Sequence, residues 1–214
     1  MGPAYRDIGE IDWFVFRPPA SFWPDSDEAA DLLMNACLAQ LARWDVRARY
    51  ASGELPAPAV YGLPRNWPHI RALYDRAGFR HVGGTETILI AHVADLPPSG
   101  PRPGVTVDRT LGECGTRFTA HAADGRLLGF IEVDTALSRP ERQTRGTGLA
   151  DLGNLHGEGL EHWLLGQAAD WLRLCGVDRL LAYESTDDTT TIDTLTTAGF
   201  RELTRTDRGW QHKP

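Results

Sequence analysis

The residues best placed to do chemistry in this chain are a pair of glycines at the mouth of a helix. The run His156-Gly157-Glu158-Gly159-Leu160-Glu161 closes one apolar stretch and opens another of helical spacing. The first backbone N–H groups of a helix lack partners within it, and the dipole is positive there. Such a turn is therefore a natural seat for an anion such as pyrophosphate; the plainer alternative is a tight turn into a helix. Glu132 and Asp134 stand two apart and share one face of a candidate strand, and Glu184 ends a later one. Asp188 and Asn66 precede helical segments, where either residue type can serve as a cap. The seven histidines show no metal-ligand spacing: His156 and His162 are six apart, with no partner at i+3 or i+4. No nucleophile elbow, Walker loop or dinucleotide fingerprint occurs.

The elements that must hold these residues follow from periodicity. A mixed β-branched and aromatic run predicts a strand over 8–16, ended by Pro18 and Pro19. Leu33, Cys37, Leu41 and Trp44 recur at helical spacing and predict a helix over 27–44. A proline-bearing extended stretch follows to Pro64, with Val60-Tyr61 as its strand. Pro68 opens a second helix, which Gly78 stops, and 85–93 is a strand. Further on, 105–108 is a short strand, and Asp124-Gly125 is the turn of a hairpin between 117–123 and 126–134. A polar loop over 135–148 then leads to a strand at 149–155, a helix at 160–174, a strand at 179–183, a helix at 188–197 stopped by Gly199, and a last strand from Arg201. Leu96-Pro97-Pro98-Ser99-Gly100-Pro101-Arg102-Pro103-Gly104 reads as a linker, because its four prolines neither donate to a ladder nor continue a helix.

Composition narrows the function classes. An apolar share of 42% with seven Trp in 214 residues suffices for a packed core. The net charge of −7 argues against nucleic acid or an anionic membrane as partner. Cys37, Cys114 and Cys175 form no CxxC pair, which fits reduced thiols in a cytoplasmic protein. The N-terminus lacks the layout of a signal peptide, and no apolar run is long enough to span a bilayer.

Aligning the two halves reveals an internal repeat. Ala77-Gly78-Phe79-Arg80 recurs as Ala198-Gly199-Phe200-Arg201, Leu32-Leu33 as Leu164-Leu165, and Asp7-Ile8-Gly9 as Asp151-Leu152-Gly153. The order of elements and these anchors resemble a tandem N-acetyltransferase of the GNAT superfamily. Gly129-Phe130-Ile131-Glu132-Val133-Asp134 looks like the family's third strand, 149–155 its fourth, 160–174 the helix after its cofactor loop, and Thr194-Leu195-Thr196-Thr197-Ala198-Gly199-Phe200 its closing helix.

The resemblance implies an α/β protein with a duplicated acyl-CoA N-acyltransferase fold, a mixed but mostly antiparallel sheet flanked by helices. Residues 1–96 would be a partial, degenerate unit that starts inside its first copy. Residues 97–104 would be the linker, and 105–214 a fuller unit with a shortened loop. The resemblance also implies acetyl-CoA as acyl donor, held by Asn154, Leu155, His156, Gly157, Gly159, Leu160 and Asp188. The acceptor would be an amine of a small molecule or peptide. Glu132, Asp134 and Glu184 are the candidates for the carboxylate that takes the amine's proton, and Tyr74 or Tyr183 for the acid that protonates the departing thiolate. For each of these a plainer role stands beside the chemical one: solvent-facing strand carboxylate, core aromatic, helix cap. The family's loop signature is Gln/Arg-x-x-Gly-x-Gly/Ala, and here only Gly159 fits strictly. Glu158 and Glu161 bring negative charge where phosphates would sit, and Leu195 replaces the family's tyrosine. A catalytically lapsed binding or structural module is therefore the competing expectation. A homodimer is also compatible with the sequence.

Overall fold

The spacing of small and apolar residues in 26–43 allows a helix with one narrow buried stripe, and the computed structural model shows it. Residues 7–12, 14–51, 62–135, 148–157 and 159–213 are described. Helix α1 (Ser26–Arg43) buries Ala30, Met34 and Leu41. Leu33 and Trp44, expected on the buried face, are instead exposed, at 56% and 62%. The stripe through 30, 34 and 41 keeps helical spacing but is rotated from the one expected, because alanine permits the closest approach to the sheet.

The chain forms two units, one of residues 1–86 with 204–214 and the other of 87–203. The first contains β1 (Ile8–Ile11), α1, β2 (Ala48–Ala51), β3 (Leu63–Pro64), α2 (Pro68–Arg76), β4 (Phe79–His81) and β12 (Trp210–His212). Its four-stranded sheet has the order β1-β2-β12-β4. β1 and β2 are parallel, joined by α1, and β12 lies antiparallel to both β2 and β4. Gly78, at φ +83°, ends α2 and turns the chain into β4. The core packs Met34, Leu73, Tyr74, Phe79 and Trp210.

The second unit contains β5 (Thr85–His92, from residue 87), β6 (Val105–Gly112), β7 (Gly115–Ala122), β8 (Leu127–Asp134), β9 (Leu149–His156), α3 (Glu161–Leu174), β10 (Arg179–Ser185), α4 (Thr189–Thr197) and the start of β11 (Arg201–Asp207). Its strands run β11-β5-β10-β9-β8-β7-β6. β6 to β9 are successive antiparallel neighbours, and β9 and β10 are parallel, joined by α3. The hairpin turn at Asp124-Gly125 forms as expected, with Gly125 at φ +82°. Leu164, Leu165, Ala168 and Leu172 of α3 pack with Ile131, Val133, Ala150, Leu180 and Leu195.

Three elements differ from the sequence expectation. β1 ends at Ile11 rather than continuing to Phe16, and β2 and β12 arise where no strand was expected. The expected strand at Val60-Tyr61 and most of the 135–148 loop lie outside the described residues. The units part at 86–87 and 203–204 rather than at 97–104. The proline-rich stretch is packed within the second unit: a side chain at Gly166 of α3 would meet the Pro97 and Pro98 carbonyls within 3 Å. Trp163 Nε1 also donates to the Gly100 carbonyl at 2.7 Å. Proline-rich backbone here is a strap over a helix, because a small residue lets it lie close.

The same succession occurs twice: strand, helix, parallel strand, helix, strand. In each unit an additional strand lies between the last two, β12 between β2 and β4, and β5 between β10 and β11. In sequence β5 follows β4 and β12 follows β11, so each unit takes up the strand that follows the other. No helix among the described residues is long and apolar enough to cross a membrane.

Candidate active site

Strand β9 is the axis of the site. One flank pairs with β8 along its length, from Asp134↔Asp151 to Phe130↔His156. The register slips between Glu132/Val133, opposite Asn154 and Leu152, which leaves Gly153 as the extra residue of a β-bulge. The other flank pairs with β10 only from Leu149↔Arg179 to Asp151↔Leu181. Beyond that point β9 runs on to His156 and β10 to Ser185 without further register partners. The two parallel strands therefore fork, and Asp151 stands at the apex. Backbone groups along such a fork are free to pair with an extended ligand.

Asp151 is the group with the most altered chemistry. Its Oδ1 is buried without a hydrogen-bond partner. Burial, and then repulsion from Asp134 directly across the β8–β9 pair, push its pKa up to about 7 against the N–H of Leu152. A carboxyl poised there exchanges protons readily at neutral pH.

Glu132 behaves in the opposite way. It is fully buried, and its carboxylate accepts from Arg117 Nε (2.5 Å), Asn154 Nδ2 (2.9 Å), the Cys114 N–H (3.2 Å) and the Glu113 N–H (3.3 Å). Burial works to raise its pKa, but the hydrogen bonds of Asn154, Arg117 and the two N–H groups outweigh it and hold it at about 2. With its acceptor capacity filled, Glu132 ties the β6–β7 turn to β8 and β9 rather than serving as a base. Asn154, expected at the cofactor, spends its side-chain amide on Glu132. Arg117 also stacks on Phe130 at 4.2 Å, and Phe130 meets the His156 ring at 4.9 Å.

After β9 come the two glycines that precede α3. Gly157 sits where a side chain would meet Leu164 at 3.1 Å, and Gly129 of β8 passes so near that a side chain would strike the His156 carbonyl at 2.4 Å. Gly159 adopts φ +77°, a conformation that favours glycine. Leu160 precedes α3 and supplies no side-chain cap, so the first N–H groups of α3 are uncapped. Leu155 and Leu160 turn their side chains into the core and offer only backbone. The Glu161 carboxylate accepts from the Gly159 N–H at 3.4 Å. That N–H is one of those an anion would use.

The remaining expected residues are placed apart. Tyr74 is fully buried in the core of the first unit, against Phe79 and Trp210, with its pKa pushed well up by burial first and then by Cys37. It is a core aromatic, not an accessible acid. Asp188 caps α4, accepting from the Thr191 N–H at 3.0 Å and hydroxyl at 2.9 Å, which lower its pKa. Strand alternation puts Glu184 on the Leu180–Ala182 face of β10 and Tyr183 on the Leu181 face. Asp151 was missed as a proton-transfer group in the sequence. The available signal was an acid inside an otherwise apolar strand, Leu149-Ala150-Asp151-Leu152. No group of His, Cys, Asp and Glu among the described residues is arranged to hold a metal.

A mixed sheet whose parallel central strands fork ahead of a glycine turn and a helix defines a class. The chain has the fold of the GCN5-related N-acetyltransferases, and the likeness is one of structure. A tandem GNAT protein from the clavulanic acid biosynthesis pathway matches with a TM-score of 0.60 at 12% identity, over 97% of this chain and 76% of that one. A GCN5-related glucosamine N-acetyltransferase region of a fungal multi-domain GH3 β-N-acetylglucosaminidase matches at 0.59 and 12% identity, over 94% of this chain and 29% of that one. A GCN5-related N-acetyltransferase from Kribbella flavida matches at 0.54 and 11% identity, over 88% and 77%. No family model and no curated protein matches the sequence.

Proposed function

We propose that the second unit is an acyl-CoA-dependent N-acetyltransferase that moves an acetyl group from acetyl-CoA to an amine of a small molecule or peptide. The observation that carries this reading is the β9–β10 fork with Asp151 at its apex. The fold of structural neighbours named as N-acetyltransferases supports it. The amide groups of the donor's pantetheine arm would pair with the free edge of β9. Gly157, Gly159 and the uncapped start of α3 would face its pyrophosphate. The amine nitrogen attacks the thioester carbonyl carbon, its proton passes to Asp151, and the carbon–sulfur bond breaks to release the CoA thiolate, which takes a proton from solvent. Burial, and then Asp134, keep Asp151 basic enough to accept that proton near neutral pH. The thioester is held in line with the amine, so proximity lowers much of the barrier.

A second reading, a lapsed module, draws on Glu161 covering the Gly159 N–H and on Leu195 being fully buried where the resemblance expects a tyrosine. Two measurements separate them. Calorimetry with acetyl-CoA reads binding, and thiol release across an amine panel reads turnover. Absence of heat at high micromolar acetyl-CoA sinks the enzyme. With turnover established, Asp151→Asn is expected to lower kcat by about 10²-fold or more, with acetyl-CoA affinity retained.

A further inference from the structure

The first unit carries a groove that acyl transfer in the second unit does not use. It lies where residues 14–23 run into the opening turns of α1 and encloses about 350 Å³. Phe14, Phe16, Trp23, Ala29 and Leu33 line it, and Trp23 and Leu33 stay largely exposed. A ligand that covered them would remove apolar surface from water. Two polar groups meet this lining. Arg17 borders both this groove and the adjoining hollow beside Phe22. Ser26 also lines the groove, and its hydroxyl oxygen is buried without a hydrogen-bond partner. An orphaned hydroxyl is costly in a folded protein, and a ligand acceptor would satisfy it. The acids of the first turn, Asp27 and Glu28, line neither hollow.

An apolar slot with one guanidinium and one free hydroxyl donor is complementary to a hydrocarbon chain that ends in a carboxylate. We propose that the first unit binds an aliphatic carboxylate in this groove, its chain against Phe14, Phe16 and Leu33 and its head group on Arg17 and Ser26. The groove sits at the β1–α1 junction, the counterpart of the β9–α3 junction in the second unit. Where the second unit has glycines, the first has aromatic side chains, so its ligand is apolar rather than phosphorylated.

The test is calorimetry on the full chain with octanoate, 1-octanol and acetate. Octanoate is expected to bind saturably at one site and acetate to give no heat, because the chain supplies the burial. Octanol should bind about tenfold more weakly for want of the charge-assisted head group. Arg17→Gln should weaken octanoate about tenfold and leave octanol unchanged. Ala29→Trp, an exposed helix position that circular dichroism can verify as folded, should abolish both. Saturating acetyl-CoA should leave the octanoate isotherm unaltered, so the outcome is independent of the acyl-transfer reading. Non-saturating heats, undiminished binding to Ala29→Trp, an Arg17→Gln variant equal to the native chain, or displacement by acetyl-CoA would each overturn the proposal.

Discussion

The first strand–helix–strand passage of each unit is built to one plan and finished differently. β1 and β2 pair over all four of their residues, whereas β9 and β10 separate after three. In the first unit the chain between strand and helix runs from residue 12 to 25 and is rich in aromatics; in the second it is a glycine turn. The helices differ too. α3 buries Leu164 and Leu165 completely, while their counterparts Leu32 and Leu33 are exposed at 66% and 56%. A fold can therefore keep its succession of elements while changing which helix face meets the sheet and whether the strands open to a ligand. Scaffold and site are separable properties.

The comparison breaks first at the paired leucines. Leu165→Ala is expected to cost about 2–5 kcal/mol, since it empties a fully packed core position. Leu33→Ala should stay within about 0.5 kcal/mol. Urea denaturation midpoints compare the two, and equal losses would restore the alignment of Leu32-Leu33 with Leu164-Leu165 as a shared core.

The fork offers a subtler effect through pH. The folded-state pKa of Asp151 is raised to about 7, above roughly 3.9 in an unfolded chain. The folded state therefore favours the protonated form. The contribution of Asp151 is full below about pH 4 and is lost as pH rises through 7. After a discount for the solvent that reaches the pair, the loss is about 1–2 kcal/mol. Asp151→Asn should remove this slope and be the more stable form at pH 8. A denaturation series from pH 4 to 8 in which the variant keeps the native slope would contradict the raised pKa of Asp151.

The smallest effect concerns the loop. Glu161→Gln removes a charge beside the α3 N-terminus and weakens its hold on the Gly159 N–H. Acetyl-CoA should then bind a few-fold more tightly, consistent with about 0.3–1 kcal/mol for a charge near a helix end. Weaker binding would mean that Glu161 orders the loop rather than obstructing it.

Much of the scaffold was legible because periodicity and punctuation are local signals. The helix stops at Gly78 and Gly199, the Asp124-Gly125 hairpin and β9 with its following helix all read directly from neighbouring residues. What escaped depends on distant partners. β12 is three residues long and exists only because β2 and β4 flank it. Asp151 gains its character from burial and from Asp134 across a strand pair, and Glu132 loses its from four donors on the turn and the adjoining strands. The rotated face of α1 is not legible from leucine spacing, because alanine is what lets a helix lie close to a sheet.

The interposed strands also set a timetable. Trp210 pairs with His81, a separation of 129 positions along the chain (210 − 81). Until residues 210–212 are available, the first unit has β4 without its inner neighbour, and Tyr74 and Phe79 lack the indole that covers them. In synthesis from the N-terminus the earlier-made unit is therefore the later to be completed. β5, by contrast, is already waiting when the strands of the second unit emerge. Contacts of such long sequence separation carry a loop-closure cost before they stabilise anything, so the aromatic core of the first unit depends on a strand made after the whole of the second.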